Sequence, residues 1–167
     1  VNVERPDTDA ADAIADLWVD LAEEQRAVGS HLRASENRDT IRENARRAIV
    51  ADGLYVAVAE ADDEFDADPG TVLGFVMFSA GSELLATTAT RGTIENLYVC
   101  PEYRDRGIGS ELMATAEAKL AARGVDAVKL EVLAANEAAR RFYRRHGYEP
   151  HRVQLEKSVE SDNHSKG

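Results

Sequence analysis

The stretch from Leu97 to Gly109 constrains this chain more than any other. Leu97-Tyr98-Val99 has the apolar, aromatic and β-branched build of a strand. The run Cys100-Pro101-Glu102-Tyr103-Arg104-Asp105-Arg106 cannot continue it, because Pro101 removes a ladder donor and charged residues follow. Gly107-Ile108-Gly109-Ser110 then opens a helix in which Ile108, Leu112, Ala116 and Leu120 recur four apart. At such a helix start the backbone N–H groups have no partner within the helix, and the dipole adds partial positive charge. The terminus accepts a phosphate, and glycines let a ligand approach the backbone closely. Arg104 and Arg106 place two cations beside it. The spacing is neither the G-x-G-x-x-G of a dinucleotide-binding fold nor the G-x-x-x-x-G-K-[ST] of a P-loop, which counts against a nucleotide-binding regulator.

The rest of the chain supplies alternating elements. Val1 to Arg5 reads as a short strand by its alternation. Asp7-Thr8-Asp9 offers N-cap residues for a helix in which Ile14, Leu17, Trp18 and Leu21 form an apolar stripe, ending near Gly29. A polar connector, Ser30 to Asn37, leads to a second helix over Asp39 to Val50. Leu54 to Ala59 and Thr71 to Ala80 read as strands around an acidic, solvated loop, Ala61 to Gly70. Arg91 to Val99 is a strand, and the helix opened by Gly107 runs to about Ala122. A strand over Ala127 to Leu133, a helix over Glu137 to Arg145, and one or two strands over Tyr148 to Lys157 complete the pattern. The expected architecture is α+β, with helices packed on a mixed, mainly antiparallel sheet. A length of 167 residues fits one domain, expected over residues 1–157, with 158–167 as a frayed tail.

Composition removes several classes of function. The 31 acids outweigh the 20 basic residues for a net charge of -11, so phosphate backbones and anionic membranes are repelled as bulk partners. No run approaches the ~18 apolar residues of a membrane span, and the first residues lack the build of a signal peptide, so the cytoplasm is the expected location. The one cysteine, Cys100, precludes an internal disulfide and any cysteine-cluster metal site; no metal is expected.

Two blocks narrow the reading further. Arg104-x-x-Gly107-x-Gly109 after Leu-Tyr-Val resembles the [RQ]-x-x-G-x-[GA] acyl-CoA motif of the GCN5-related N-acetyltransferase (GNAT) superfamily. Leu130-Glu131-Val132, then Asn136, then Ala139-Arg140-Arg141-Phe142-Tyr143-Arg144-Arg145-His146-Gly147-Tyr148 resembles that family's strand, asparagine and A-x-x-[FL]-Y-x-x-x-G-[FY] helix, in the family's order and separation. The resemblance implies a sheet of six or seven strands flanked by about four helices. It implies acetyl-CoA as cosubstrate, lying between two splayed strands. Leu97, Tyr98 and Val99 would face the pantetheine arm, with the backbone of Tyr98 and Val99 pairing with it. The turn Arg104, Asp105, Arg106, Gly107, Ile108, Gly109 and Ser110 would bind the pyrophosphate. Asn136 would hydrogen-bond the arm; its sequence position equally suits a helix N-cap.

The same resemblance assigns chemistry. Tyr143 would be the general acid that protonates the departing thiolate, although the helix pattern alone reads it as a half-buried core aromatic. The base for the attacking amine would be Glu95, the favoured choice, or Glu131, acting directly or through water. The acceptor would be a small-molecule amine, or a protein N-terminus or lysine, bound between the first two helices and the late hairpin. Many relatives dimerise, so a homodimer is an expectation. A non-catalytic acyl-CoA-binding module or sensor is the alternative; a pure binder needs neither Tyr143 nor Glu95. Cys100 is read as a packed thiol rather than a nucleophile.

The charge pattern carries its own expectation. Sixteen of the 20 cations are arginines, and the lysines are Lys119, Lys129, Lys157 and Lys166. An acid-rich, lysine-poor surface suits a halophile's interior, where self-repulsion is screened. The thermal unfolding midpoint is therefore expected to rise as KCl increases from roughly 0.1 to 3 M. A midpoint that falls steadily over that range would contradict the reading.

Overall fold

The computed structural model describes residues 1–81 and 84–160. Strands β1 (Asn2–Glu4), β2 (Leu54–Val58), β3 (Val72–Ser79), β4 (Arg91–Val99) and β5 (Ala127–Lys129) form one sheet in the order β1-β2-β3-β4-β5. The first four strands pair antiparallel, and β5 joins β4 parallel. Helices α1 (Ala11–Arg26) and α2 (Arg38–Val50) cover one face. Helix α3 (Ile108–Ala122) covers the other, with α4 (Glu137–Arg145) beside it. The fold is α+β with a mixed sheet, as the element pattern predicts.

The two faces explain the sequence pattern. On the α1–α2 face, Ile14, Trp18, Leu21, Ala45 and Ile49 pack against Leu54, Val56, Phe75, Met77 and Tyr98. On the α3 face, Leu112, Met113, Ala116 and Leu120 pack against Tyr55, Ala57, Val76, Phe78 and Ile94. Helix α3 is apolar on its sheet side and closes on Gly124, as its sequence suggests. The first helix departs in one detail. Asp7 makes no side-chain cap, and a 3₁₀ turn over Thr8–Ala10 leads into α1 instead.

The most consequential irregularity lies in β4. Met77 faces Asn96 and Phe78 faces Ile94, so Glu95 is an extra residue opposite no partner: a β-bulge. Side chains alternate along a strand, so Ile94 and Tyr98 would share a face in a regular one. Here Ile94 lies in the α3 cluster and Tyr98 in the α1–α2 cluster, while Leu97 and Val99 pack toward α3. The extra residue inverts the alternation midway. It also bends β4, and pairing with β5 stops at Thr93 and Lys129.

Two expectations are corrected. The strand expected over Ala127 to Leu133 is paired only over Ala127–Lys129, because its neighbour bends away. The strands expected over Tyr148 to Lys157 do not form: residues 149–160 are exposed and make no backbone hydrogen bond among the described residues. The sheet thus has five strands rather than six or seven. Of the expected tail, 161–167 lies outside the described residues.

Burial and exposure on this sheet predict opposite sensitivities. Leu120 is fully buried against Gly92, so Leu120→Ala should cost about 2–5 kcal/mol in chemical denaturation. Glu95→Gln, at an exposed carboxylate, should change stability by less than about 0.5 kcal/mol. Equal losses in the two variants would contradict this assignment of faces.

Candidate active site

Past Thr93 the outer edge of β4 has no strand partner among the described residues, and this opens a gap between β4 and the segment that follows β5. The ladder fixes which groups face it. The Cys100 N–H donates to Leu73 O at 2.9 Å, so that residue pair is a hydrogen-bonded one. In an antiparallel ladder such pairs alternate. Tyr98, opposite Phe75, therefore turns its peptide groups to β3, whereas Leu97 and Val99 turn theirs to the gap. The Tyr98 side chain is buried against α1, where its hydroxyl donates to Glu24 Oε1 at 3.4 Å, and burial pushes its ionisation well above the ordinary phenol range.

The gap leads into the glycine turn. Asp105 and Gly107 both adopt left-handed backbone, with φ of 63° and 86°. Gly107 pays no steric cost there, and such turns let successive N–H groups converge on an anion. The first N–H of α3 to bond back is that of Glu111, to Gly107 O at 3.1 Å, so those of Ile108, Gly109 and Ser110 have no helical partner. Gly109 serves packing as well. A Cβ there would lie 3.3 Å from two ring carbons of Phe142, so its absence lets α4 close on the start of α3.

The two arginines beside the turn are engaged differently. Arg104 donates from Nε to Val99 O at 2.7 Å and from Nη2 to Glu24 Oε2 at 2.9 Å, with its guanidinium over the Tyr98 ring. It ties α1 to the end of β4. Arg106 lies over the Phe65 ring, 5.0 Å from its centroid, and Phe65 packs edge-on against Tyr103. The acidic β2–β3 loop, expected to be merely solvated, is thereby anchored to the turn. Its carboxylates Asp63 and Glu64 line a shallow groove with Arg106.

Helix α4 forms the opposite wall. Asn136 caps it, its side chain accepting the Ala139 N–H at 3.2 Å. His146 joins α4 to α3: its Nδ1 lies 2.8 Å from Phe142 O and its Nε2 2.9 Å from Ser110 Oγ. A carbonyl only accepts, so Nδ1 carries the proton in the neutral ring and Nε2 accepts from the serine hydroxyl. The Tyr148 hydroxyl donates to Glu117 Oε2 at 2.7 Å and holds the end of α4 to α3. Tyr143 stands edge-on to Tyr148 with ring centroids 6.0 Å apart. Its hydroxyl has no hydrogen-bond partner among the described residues, and burial pushes the phenol up to about 12.

The carboxylates differ in support. Glu95, at the bulge, accepts from Ser79 Oγ at 2.8 Å. Glu131 is exposed, two residues beyond the end of β5, with no polar partner among the described residues. Cys100 is buried, and desolvation pushes its thiol up to about 11, which leaves it protonated and unreactive at neutral pH. No group of His, Cys, Asp or Glu among the described residues has the arrangement of a metal site. No described helix is long and apolar enough to cross a membrane.

Residues 12–148 match the sequence profile of the Acetyltransferase (GNAT) family. The chain belongs to that family. Among curated proteins, none matches it in sequence. Solved structures share the GNAT fold at low identity. A mutant form of the BH1408 protein from Bacillus halodurans superposes with a TM-score of 0.76 at 18% identity, covering 95% of this chain and 99% of that one. A GCN5-related N-acetyltransferase from Ralstonia eutropha gives 0.67 at 22%, covering 95% and 97%. An aminoglycoside N-acetyltransferase, AAC(6')-Iy, in complex with CoA gives 0.65 at 17%, covering 94% and 93%.

Within this GNAT chain, Glu24, Ser79 and His146 support the predicted site residues and were not singled out from sequence. His146 had a local signal, its i+4 spacing from Phe142 on one helix face. Glu24 and Ser79 had none, because they reach the site only through tertiary packing and strand register. The left-handed backbone at Gly107 carries a direct test. Gly107→Ala should lower unfolding stability by about 1–2 kcal/mol in urea titrations. An unchanged midpoint would mean that the turn relaxes freely.

Proposed function

We propose that this chain is an N-acetyltransferase that moves an acetyl group from acetyl-CoA to a primary amine by direct attack. The observation that carries the reading is the continuous path from the open β4 edge at Leu97 and Val99 to the free N–H groups at the start of α3. An extended amide-bearing arm can add to such an edge as a strand does, and a pyrophosphate suits such a helix start. The residues present therefore fit acetyl-CoA. In this reading the peptide groups of Leu97 and the N–H of Val99 hold the arm, the Val99 carbonyl being taken by Arg104, and Ile108, Gly109 and Ser110 hold phosphate with Arg106. Arg104 acts mainly by fixing the turn, since its guanidinium is engaged by Glu24 and Val99. Asn136 orients the α4 start and borders the arm.

Bound acetyl-CoA supplies the thioester carbonyl and the thiolate leaving group. Tyr143 gives a proton to that leaving sulfur. Its partly buried hydroxyl, unshared with any described residue, keeps the proton for that purpose. Glu95 takes the proton from the attacking amine, directly or through a water, and the Ser79 hydroxyl fixes the carboxylate. Glu131 is the second candidate for this step. The acceptor is an amine, on a small molecule or at a protein N-terminus or lysine. An aminoglycoside N-acetyltransferase is among the structural relatives and supports a small-molecule amine as the first class to assay.

Acetyl-CoA consumption with an amine panel tests this directly; CoA binding without turnover on any amine would favour a non-catalytic acyl-CoA module. Tyr143→Phe should lower kcat about 10- to 1000-fold with little change in CoA affinity or stability. An ordinary phenol ionises near 10, whereas this one remains protonated until about 12. The loss of activity that marks deprotonation of the acid should therefore be absent at pH 10 and appear only as pH nears 12. Turnover unchanged in Tyr143→Phe would remove Tyr143 from the mechanism.

A further inference from the structure

One titratable ring joins α4 to the start of α3. His146 Nδ1 lies 2.8 Å from Phe142 O, and Nε2 lies 2.9 Å from Ser110 Oγ. The two contacts differ in kind. A carbonyl only accepts, so Nδ1–H donates to it whether the ring is neutral or charged. A hydroxyl does either. Toward a neutral ring the Ser110 O–H donates to Nε2. Toward an imidazolium Nε2–H donates instead, and the hydroxyl hydrogen is released to another acceptor.

Ser110 is where such a hydrogen matters. Its N–H is one of the three at the start of α3 without a helical partner. The Cα–Cβ bond of a helical residue tilts toward the N-terminus, so Ser110 Oγ leans to the end that those N–H groups occupy. His146 is the hydrogen-bond partner of that oxygen among the described residues. Other contacts hold the same corner together. The Phe142 ring lies against Gly109, with its centroid 4.4 Å from that of the His146 ring. The Tyr148 hydroxyl reaches Met113 and Glu117, on the α3 stripe that Ser110 begins. A change in ring charge therefore redirects one hydroxyl without undoing the packing.

The charged groups on the elements that meet here are Arg145 on α4, over the Phe142 ring at 5.8 Å, Glu111 and Glu117 on α3, and Arg106 on the turn. Carboxylates and guanidinium groups ordinarily hold one charge between about pH 5.5 and 8.5. Burial pushes the phenols of Tyr143 and Tyr148 upward, out of that range. His151, beyond Tyr148, is exposed.

We propose that His146 is a positioning residue for phosphate binding: its neutral ring turns the Ser110 hydroxyl hydrogen away from the helix start, and its charged ring turns it toward a bound phosphate. The proposal rests on the acetyl-CoA reading of the site. A histidine ordinarily changes charge between about pH 5 and 8. Affinity for a pyrophosphate at this turn therefore tightens as pH falls through that range, through one added donor and one nearby positive charge. By linkage, the ligand draws a proton onto the ring as it binds.

The probe is 3′-dephospho-CoA, whose pyrophosphate keeps its charge over this range, whereas a phosphate monoester such as that of CoA titrates near about pH 6. Titration calorimetry should give a Kd roughly 10-fold tighter at about pH 5.5 than at about pH 8.5, with proton uptake between them. His146→Gln should flatten the profile to within about twofold. Ser110→Ala should weaken binding roughly 5-fold or more at the lower pH and less than about twofold at the higher. A merely structural link would lose affinity equally at both. Such equal losses, or a flat profile in the parent chain with binding intact, overturn the proposal alone. Absence of binding at every pH removes the acetyl-CoA reading and this one with it. A pH dependence that survives His146→Gln belongs to another group and overturns the assignment. Where that variant fails to fold as the parent does by circular dichroism, the contrast between the two pH values in Ser110→Ala decides.

Discussion

One extra residue in β4 governs the architecture of the candidate site. Glu95 has no partner on β3, and its presence turns the strand enough that the parallel pairing with β5 ends after three residue pairs. Without that bulge, β4 and β5 would continue side by side, and the peptide groups of Leu97 and the N–H of Val99 would be consumed by a neighbour. With it, they face an opening that leads to the helix start beyond the glycine turn. The same residue carries an exposed carboxylate that the Ser79 hydroxyl of β3 holds. A backbone irregularity and a candidate base thus coincide at one residue, as bulges beside functional sites commonly arrange.

Charge at the site is handled locally and against the overall field. The chain carries a net charge of -11, yet the turn offers free N–H groups, a helix dipole and two arginines. One of these cations is spent internally. Arg104 binds Glu24 and the Val99 carbonyl, so it sets the position of the turn rather than standing free in solvent. Such a partly exposed pair contributes at most about 1 kcal/mol to stability, and its value lies in geometry. His146 does comparable work on the other wall. Its ring, between the Phe142 carbonyl and the Ser110 hydroxyl, joins the last turn of α4 to the first turn of α3.

Much of this was legible in the sequence. The bounds of β4, α3 and α4 follow from periodicity and from the glycines and proline that flank them. The motif residues from Arg104 to Ser110 and the helix bearing Tyr143 are contiguous in the chain, so their grouping survives any packing. Less legible were features that need two distant segments at once. The strand expected at Ala127 to Leu133 is shortened by a bend in a different strand. The strands expected after Tyr148 have suitable alternation, but alternation cannot supply a partner. Gly109 reads as room for a ligand, whereas its neighbour in space is Phe142 of α4.

The sequence by itself determined the helices and the first four strands, the family's two motif blocks and the candidate acid and bases, because these depend on local spacing and side-chain chemistry. Tertiary structure alone decided which backbone groups stay free, since that depends on ladder register. It decided that Tyr143 is a desolvated phenol without a polar partner among the described residues, because burial is a property of packed neighbours. It also decided that Arg104 is a tie rather than a free cation, since Glu24 meets it from 80 residues away.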